Sequence, residues 1–416
     1  MKSRKAIVGV ALAATLTLAM SGLPSLQALA STTTGAVATQ ATQNTDLRVA
    51  LEGKALAAAK KAKGKGKRLV ADYNAPARQG GTTKYTAKLI PYASLTDIIH
   101  VGISLTTSGG LSIPKGFYEK TLVKKAHQAG DHVILLIGGE FPTLATKSKK
   151  VQRAAMRNVA GWVKKHKYNG VDIDWEFPEN ATQRKFLVTM FTLLRKELGK
   201  KAILSEDVAP WTLDSYEVPK LSKIINWFNV MTYDCAGPWT GHGQLNEPIL
   251  KVPSDPAPDE CTPGQSDQES VPLMLAAGAK RKQLNQGTPF YGYWYKTVSS
   301  VYGACPEAAT SSDGTCGDDV VTSLDYGSGV LPLLASGEWQ VYRDPEGLVP
   351  YLLRKDGKPG FVTYDDPLST YDRVLYSDWV QHLGGTFMWA LELGYTGTDQ
   401  PLLKAMHAAT RGKLLS

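Results

Sequence analysis

From Leu69 onward, short apolar runs alternate along the chain with longer stretches whose apolar residues recur at helical spacing. Runs of this kind predict strands, and the helical stretches between them are typical of repeated βα units. The predicted strands are residues 69–73, 98–105, 132–137, 170–175, 202–208, 227–232, 284–290 and 385–391. Helical patterns between them include residues 148–167, 183–198 and 268–283. Eight strands that alternate with helices predict an α/β fold, a closed (β/α)8 TIM barrel.

A long stretch between the seventh and eighth predicted strands does not continue the repeat. It covers about residues 294–366, is rich in Gly, Ser, Tyr and Asp, and contains two cysteines. We interpret it as a small α+β insertion that stands on the catalytic face of the barrel, so residues 69–416 form one catalytic domain.

The fourth predicted strand carries three carboxylates at every second position. In Asn169-Gly170-Val171-Asp172-Ile173-Asp174-Trp175-Glu176-Phe177-Pro178, apolar residues separate the acids. Successive side chains of a strand point to opposite faces, so the three acids share one face. Because helices flank this strand on both sides, the acidic face should point into a barrel or cleft. Crowded carboxylates raise the pKa of at least one member, which keeps a general acid protonated near neutral pH.

This segment resembles the signature of glycoside hydrolase family 18, the chitinase family, whose pattern is Asp-x-x-Asp-x-Asp-x-Glu. Asn169 occupies the first position, and the three other acids match. The sixth predicted strand ends Met231-Thr232-Tyr233-Asp234, similar to the family's Met-x-Tyr-Asp. The seventh ends in a segment that includes Tyr291, and the eighth runs from Gly384 to Trp389. The insertion implies a deep-cleft member of the family.

The resemblance implies a role for each matched residue in hydrolysis of β-1,4-linked N-acetylglucosamine polymers. Glu176 is the general acid and later the base, while the substrate's own N-acetyl oxygen attacks the anomeric carbon, with retention of configuration. Asp174 holds the acetamido group, Asp172 shares a proton with Asp174, and Tyr233 donates to the acetamido oxygen.

Four further residues are implied to bind the substrate. Asp234 accepts a hydrogen bond from the same sugar, and Trp389 forms the apolar floor beneath its ring. Met231 and Tyr291 belong to the matched strand ends.

Two strands depart from the family's pattern. The third reads Leu136-Ile137-Gly138-Gly139 where the family has Ser-x-Gly-Gly, and Glu140 follows where an aromatic residue is common. The fifth carries Ser205-Glu206-Asp207, with acids where the family usually has small or apolar residues. Either change could alter the pKa of Glu176 or the shape of the cleft.

The net charge of the chain lies entirely at its N-terminal end. Residues 1–68 contain 11 basic and two acidic side chains, which accounts for the whole net charge of +9. Residues 69–416 are therefore neutral overall, which fits an uncharged ligand and gives no reason to expect a nucleic-acid or membrane partner. We expect a monomer.

The N-terminal segment has two parts. Residues 1–30 combine early basic residues, an apolar run and Ala28-Leu29-Ala30, the pattern of a secretory signal peptide. Residues 31–68 are rich in Lys, Ala and Gly and indicate a linker or tail, with a fraying helix across the Ala-rich part as an alternative. The sequence thus predicts an exported, extracellular protein.

Four cysteines suit an oxidising compartment and allow three pairings. Sequence proximity favours Cys235–Cys261 and Cys305–Cys316, and free buried thiols are the alternative.

Two other functions share these features. One is an endo-β-N-acetylglucosaminidase that acts on other N-acetylated glycans, and the other is a non-catalytic chitin-binding lectin of the same fold. The insertion favours chitin, and the presence of Glu176 favours an enzyme. No cluster of ligating residues or phosphate-binding loop predicts a metal or other cofactor.

Overall fold

The computed structural model of the 416-residue chain describes residues 49, 52–59, 67–76, 85–258, 260, 266–307, 310–312 and 314–415. The predicted signal peptide lies outside the described residues. A parallel barrel forms the centre of the fold. Its strands are β1 (Arg68–Asn74), β2 (Asp97–Leu105), β4 (His132–Gly139), β5 (Gly170–Asp174), β6 (Ile203–Val208), β7 (Trp227–Val230), β8 (Leu284–Gln286) and β14 (Gly385–Met388). The two-residue strand β3 (Leu111–Ser112) pairs with the last two residues of β2.

The barrel closes because β1 pairs in parallel with both the second and the last barrel strand. Val70 is the register partner of Asp97 on β2 and of Phe387 on β14. The predicted (β/α)8 TIM barrel is therefore confirmed, and each observed strand lies within a few residues of its predicted position.

Helices surround the barrel because its strands alternate between residues that point inward and residues, most of them apolar, that point outward. On β5, for example, Val171 and Ile173 join the large hydrophobic core shared with the helices. The helices are α1 (residues 52–59), α2 (Lys120–Ala129), α3 (Phe141–Ala145), α4 (Lys149–His166), α5 (Ala181–Leu198), α6 (Val218–Leu221), α7 (Asp267–Ala276), α8 (Leu331–Ala335), α9 (Pro367–Leu375) and α10 (Pro401–Thr410).

One helix is shorter than its pattern predicts. The pattern over 268–283 predicts a single helix, but α7 ends at Ala276. Gly278 follows with φ 105°, a backbone conformation that ends the helix. Residues Arg281–Gln283 form a separate 3-10 turn.

The α+β insertion predicted between the seventh and eighth barrel strands contains a five-stranded antiparallel sheet and the short helix α8. It begins at Tyr291, slightly before the predicted boundary. Its strands are β9 (Tyr291–Tyr295), β10 (Val321–Asp325), β11 (Trp339–Arg343), β12 (Pro350–Arg354) and β13 (Phe361–Thr363), in the spatial order β10-β9-β13-β12-β11.

Residues 52–59, in the Ala-rich part of the segment interpreted as a linker or tail, form α1. Ala55 is fully buried, and Ala59 is nearly so, within the main hydrophobic core. A side chain at Gly412 would collide with Ala59, so α1 lies directly against the end of the chain. Ala55 and Ala59 lie four residues apart, the spacing that places both on one face of a helix.

The disulfide prediction is confirmed for Cys305–Cys316. Cys235 is also disulfide-bonded, and its predicted partner Cys261 lies outside the described residues. Within the described residues, no helix is long and apolar enough to cross a membrane.

Candidate active site

Strand β5 carries the three predicted acids from the barrel interior to its surface. Asp172 is fully buried, Asp174 is half-buried at the end of the strand, and Glu176 is exposed two residues later. The first residue of the strand is Gly170. A Cβ atom at this position would lie 1.9 Å from the carbonyl oxygen of Ile203 on β6, so the close approach of the two strands requires glycine. The alternation predicted from the sequence is therefore present, and it places the acids at successive depths on one face.

Three of the predicted residues share a cavity at the C-terminal end of the barrel. Asp174, Glu176 and Trp389 line an open cavity of about 390 Å³. Leu136 and Gly139, which belong to the departure on the third predicted strand, also line this cavity, from the neighbouring strand β4. Glu140 follows them on the surface. The structure thus brings residues of three strand ends together around one space.

A second group lies where β7 ends and the insertion begins. The Tyr291 and Tyr293 hydroxyl groups donate to the same atom of Asp234, Oδ1, at 2.5 and 2.8 Å. The Tyr233 ring lies 6.0 Å from the Tyr291 ring, measured between centroids. Met231 is buried in a hydrophobic cluster that also contains Tyr233, Tyr291 and Tyr293.

Tyr233 links the two groups electrostatically. Burial raises its pKa well above the usual range, and negative charges that include Asp234 and Glu176 raise it further. The hydroxyl group therefore keeps its proton and can act as a hydrogen-bond donor.

The barrel interior beneath the cavity is unusually acidic. Burial raises the pKa of Asp174 to about 6 and that of Asp172 to about 8. The pKa values of Asp72 on β1 and Asp207 on β6 are raised well above the usual range by burial, and then by the charges of Asp172 and Asp174. Among the described residues, no group of acids, histidines or cysteines is arranged to hold a metal ion.

Two residues that depart from the family's pattern, Asn169 and Asp207, lie in different parts of the barrel. Asn169 lies just before β5, at the opposite end of the strand from Glu176, where its Oδ1 accepts the Val133 backbone N–H at 2.8 Å. It therefore supports strand pairing. Asp207, by contrast, points into the barrel beside Asp174, its register partner.

Sequence reasoning missed three residues of this region. Asp72 is fully buried, and neither of its carboxyl oxygens has a hydrogen-bond partner. The sequence feature that could have identified it is an acidic residue between the apolar residues of the first predicted strand. Tyr293 and Asn229 carry no motif of their own, although Tyr293 follows Tyr291 at strand spacing.

A buried charge network supports the β7 side of the site. The Arg373 guanidinium lies 2.7 Å from Asp267 and 3.1 Å from Asp365, measured between nitrogen and oxygen. It also lies 3.2 Å from Glu247, which accepts a hydrogen bond from Thr232, the residue before Tyr233. Nearby, Asn246 accepts the backbone N–H of Asp234 at 3.1 Å.

The model for the family described as Glycosyl hydrolases family 18 matches residues 71–394. The chain is 25% identical over 374 residues to an endochitinase of Manduca sexta, an alignment that covers 79% of this chain and 64% of that protein. It is 26% identical over 304 residues to a probable chitinase 2 of Drosophila melanogaster, covering 67% of this chain and 59% of that protein. The chain therefore spans about six-tenths of the length of these relatives.

The structure resembles catalytic domain 2 of the Ostrinia furnacalis Group II chitinase with a TM-score of 0.72 and 23% sequence identity. The match covers 84% of this chain and 98% of that one, and it shows a shared fold.

Proposed function

The chain belongs to glycosyl hydrolases family 18, and on that premise we propose that it is a secreted chitinase that hydrolyses β-1,4-linked N-acetylglucosamine polymers. The observation that carries the proposal is that Asp174, Glu176 and Trp389 line one open cavity. This cavity combines proton-transferring groups with an aromatic surface suited to a sugar ring. Secretion rests on the signal-like residues 1–30 of the sequence.

Glu176 donates a proton to the leaving oxygen of the glycosidic bond. Its exposure at the cavity surface supports this role, because the acid must reach a bound polymer. After the leaving group departs, the Glu176 carboxylate takes a proton from the water molecule that completes hydrolysis.

Asp174 orients the nucleophile, which is the carbonyl oxygen of the substrate's acetamido group. It accepts the acetamido N–H, so that the carbonyl oxygen is held against the anomeric carbon. The oxazolinium intermediate forms as that oxygen attacks and the glycosidic bond breaks. Asp172 lies two residues earlier on the same face of β5 and deeper in the barrel, and this proximity supports a proton shared between the two carboxyl groups.

Tyr233 donates a hydrogen bond to the attacking acetamido oxygen, and Asp234 accepts one from the same sugar. Trp389 stacks beneath that sugar ring, with Met231 and Tyr291 behind it. The raised pKa of the Tyr233 hydroxyl supports its role as a donor.

The test is the release of reducing ends from a chitin hexamer, compared with the release of glycans from a glycoprotein. We expect hydrolysis of the hexamer and little action on the glycoprotein. The converse result would assign the chain as an endo-β-N-acetylglucosaminidase. Oligomer binding without any hydrolysis would assign it as a lectin.

The mechanism has its own test. Time-resolved NMR of the anomeric protons should show the β-anomer first, and the fully deacetylated hexamer, a matched substrate without the nucleophile, should be inert. An initial α-product would contradict the substrate-assisted mechanism.

A further inference from the structure

A chain of hydrogen bonds runs through the barrel interior from the opposite end to the acidic cluster. Arg68, at the start of β1, donates from Nε to Oδ1 of Asn285 on β8 at 3.0 Å. Asn285 donates from Nδ2 to Oδ1 of Asn229 on β7 at 3.0 Å. Asn229 donates from Nδ2 to Asp207 at 2.9 Å and to Asp172 at 3.2 Å.

The guanidinium at one end determines the orientation of both amides. Arg68 can only donate, so the atom of Asn285 that faces it must be the oxygen. The Asn285 amide nitrogen then faces Asn229, whose oxygen must accept. Asn229 therefore presents N–H groups to Asp172 and Asp207 and cannot accept a proton from either acid.

Because Asn229 Nδ2 bridges Asp207 and Asp172, the two carboxyl groups lie side by side. Oδ2 of Asp172 is buried and is otherwise without a hydrogen-bond partner among the described residues. Two carboxyl groups can share a hydrogen bond only if one of them carries a proton. Asp172 already accepts hydrogen bonds at Oδ1 from the Ser205 hydroxyl group and from Asn229. Because these donors stabilise a negative charge on Asp172, the proton belongs on Asp207.

The charges around Asp207 favour the same assignment. The charges that act on it are those of Asp72 on β1 and of Asp172 and Asp174 on β5, all carboxyl groups. Its sequence neighbour Glu206 points to the other face of β6. Arg68 reaches Asp207 only through the two asparagines, and burial penalises a second charge at this depth.

We propose that Asp207 is a positioning residue of this active site, which carries a proton and donates it in a hydrogen bond to Asp172. This hydrogen bond favours the ionised form of Asp172, so that Asp172 and Asp174 share a single proton. Asp207 touches no substrate and acts through Asp172 alone. The positioning role rests on the proposed function, whereas the protonation of Asp207 does not.

The protonation is tested without substrate by infrared spectroscopy of the full chain near pH 7. The carbonyl-stretch band of protonated carboxyl groups should lose the intensity of one group in Asp207→Asn. The matched control is Asp214→Asn, the same change at an exposed position, which should leave the band unaltered. An unaltered band in Asp207→Asn would overturn the proposal even if the protein hydrolyses chitin.

The positioning role is tested by kinetics on the chitin hexamer. Asparagine retains a donor toward Asp172, so Asp207→Asn should lower kcat/KM by only about threefold. Asp207→Leu removes the donor, and we expect it to lower kcat/KM roughly 5- to 100-fold. Equal losses in the two variants, or no loss in either, would overturn the role; thermal unfolding and the Kd for the hexamer establish that each variant is folded.

Discussion

The hydroxyl oxygen of Tyr291 lies 2.5 Å from Oδ1 of Asp234. Tyr291 is the first residue of the insertion, and Asp234 lies in the loop that follows the barrel strand β7. The backbone of Asp234 has φ 69°, an uncommon value for a residue other than glycine. The insertion therefore helps to hold a proposed sugar-binding carboxylate in position.

Replacing this hydroxyl group should weaken catalysis more than it weakens the fold. We expect Tyr291→Phe to lower kcat/KM on a chitin hexamer roughly tenfold, because a hydrogen bond to a charged group contributes about 1.5–3 kcal/mol. Tyr295→Phe is the matched control, since Tyr295 lies on the same strand and bonds Thr240 and Gly237. A loss in the control as large as that in Tyr291→Phe would show a general effect of the strand.

The pH dependence of hydrolysis should reflect the buried pair on β5. Burial raises the pKa of Asp174 to about 6 and that of Asp172 to about 8. If the pair must hold one proton, kcat/KM should fall below about pH 6, where a second proton binds, and above about pH 8, where the last one leaves. Rates measured across this range test the prediction, and a profile without an alkaline decline would contradict it.

Asp72 should make the fold less stable as pH rises. Its pKa is raised well above the usual range by burial, so the folded state keeps a proton that the unfolded state releases above about pH 4. The contribution of this proton to stability is therefore fully present at acidic pH. It is lost as the pH rises toward the pKa of Asp72 in the folded state, by up to about 1.4 kcal/mol per pH unit. Asp72→Asn removes this dependence, so its stability relative to the unmodified protein should increase with pH.

Chemical denaturation at about pH 5 and about pH 8 measures that difference. Asp214→Asn, at an exposed position, is the control and should show none. A stability difference for Asp72→Asn that is the same at both pH values would mean that Asp72 is already ionised in the folded protein.

The packing of α1 predicts a contrast between two alanines on that helix. Ala55 is fully buried and Ala57 is exposed. Ala55→Glu should lower the free energy of unfolding by about 2–4 kcal/mol, because it buries a carboxylate without a partner. Ala57→Glu should change it by no more than about 0.5 kcal/mol. Equal effects would contradict the observed packing.

The barrel was predictable because each strand is a compact apolar run, and hydrophobic periodicity is the strongest local signal in a sequence. The same signal is weak in α1, where four of the eight residues are alanine and three of these alanines pack against the core. Small side chains contribute little to a hydrophobic pattern, although they pack closely.

The acids of β5 were predictable because they lie on one strand at fixed spacing. The chain from Arg68 through Asn285 and Asn229 was not, because it depends on the register of three strands that are far apart in sequence. For the same reason, Asp207 was visible only as a departure from a pattern, and its contact with Asp172 required the structure.

The most direct test of the account is the turnover of Glu176→Gln on a chitin hexamer, measured together with its Kd. The substitution removes the transferable proton and almost no contact area, so kcat should fall by at least about 100-fold while Kd stays within a few-fold. Glu179→Gln, an exposed glutamate three residues later, should retain full activity. If Glu176→Gln kept even about a tenth of kcat, Glu176 would not be the general acid.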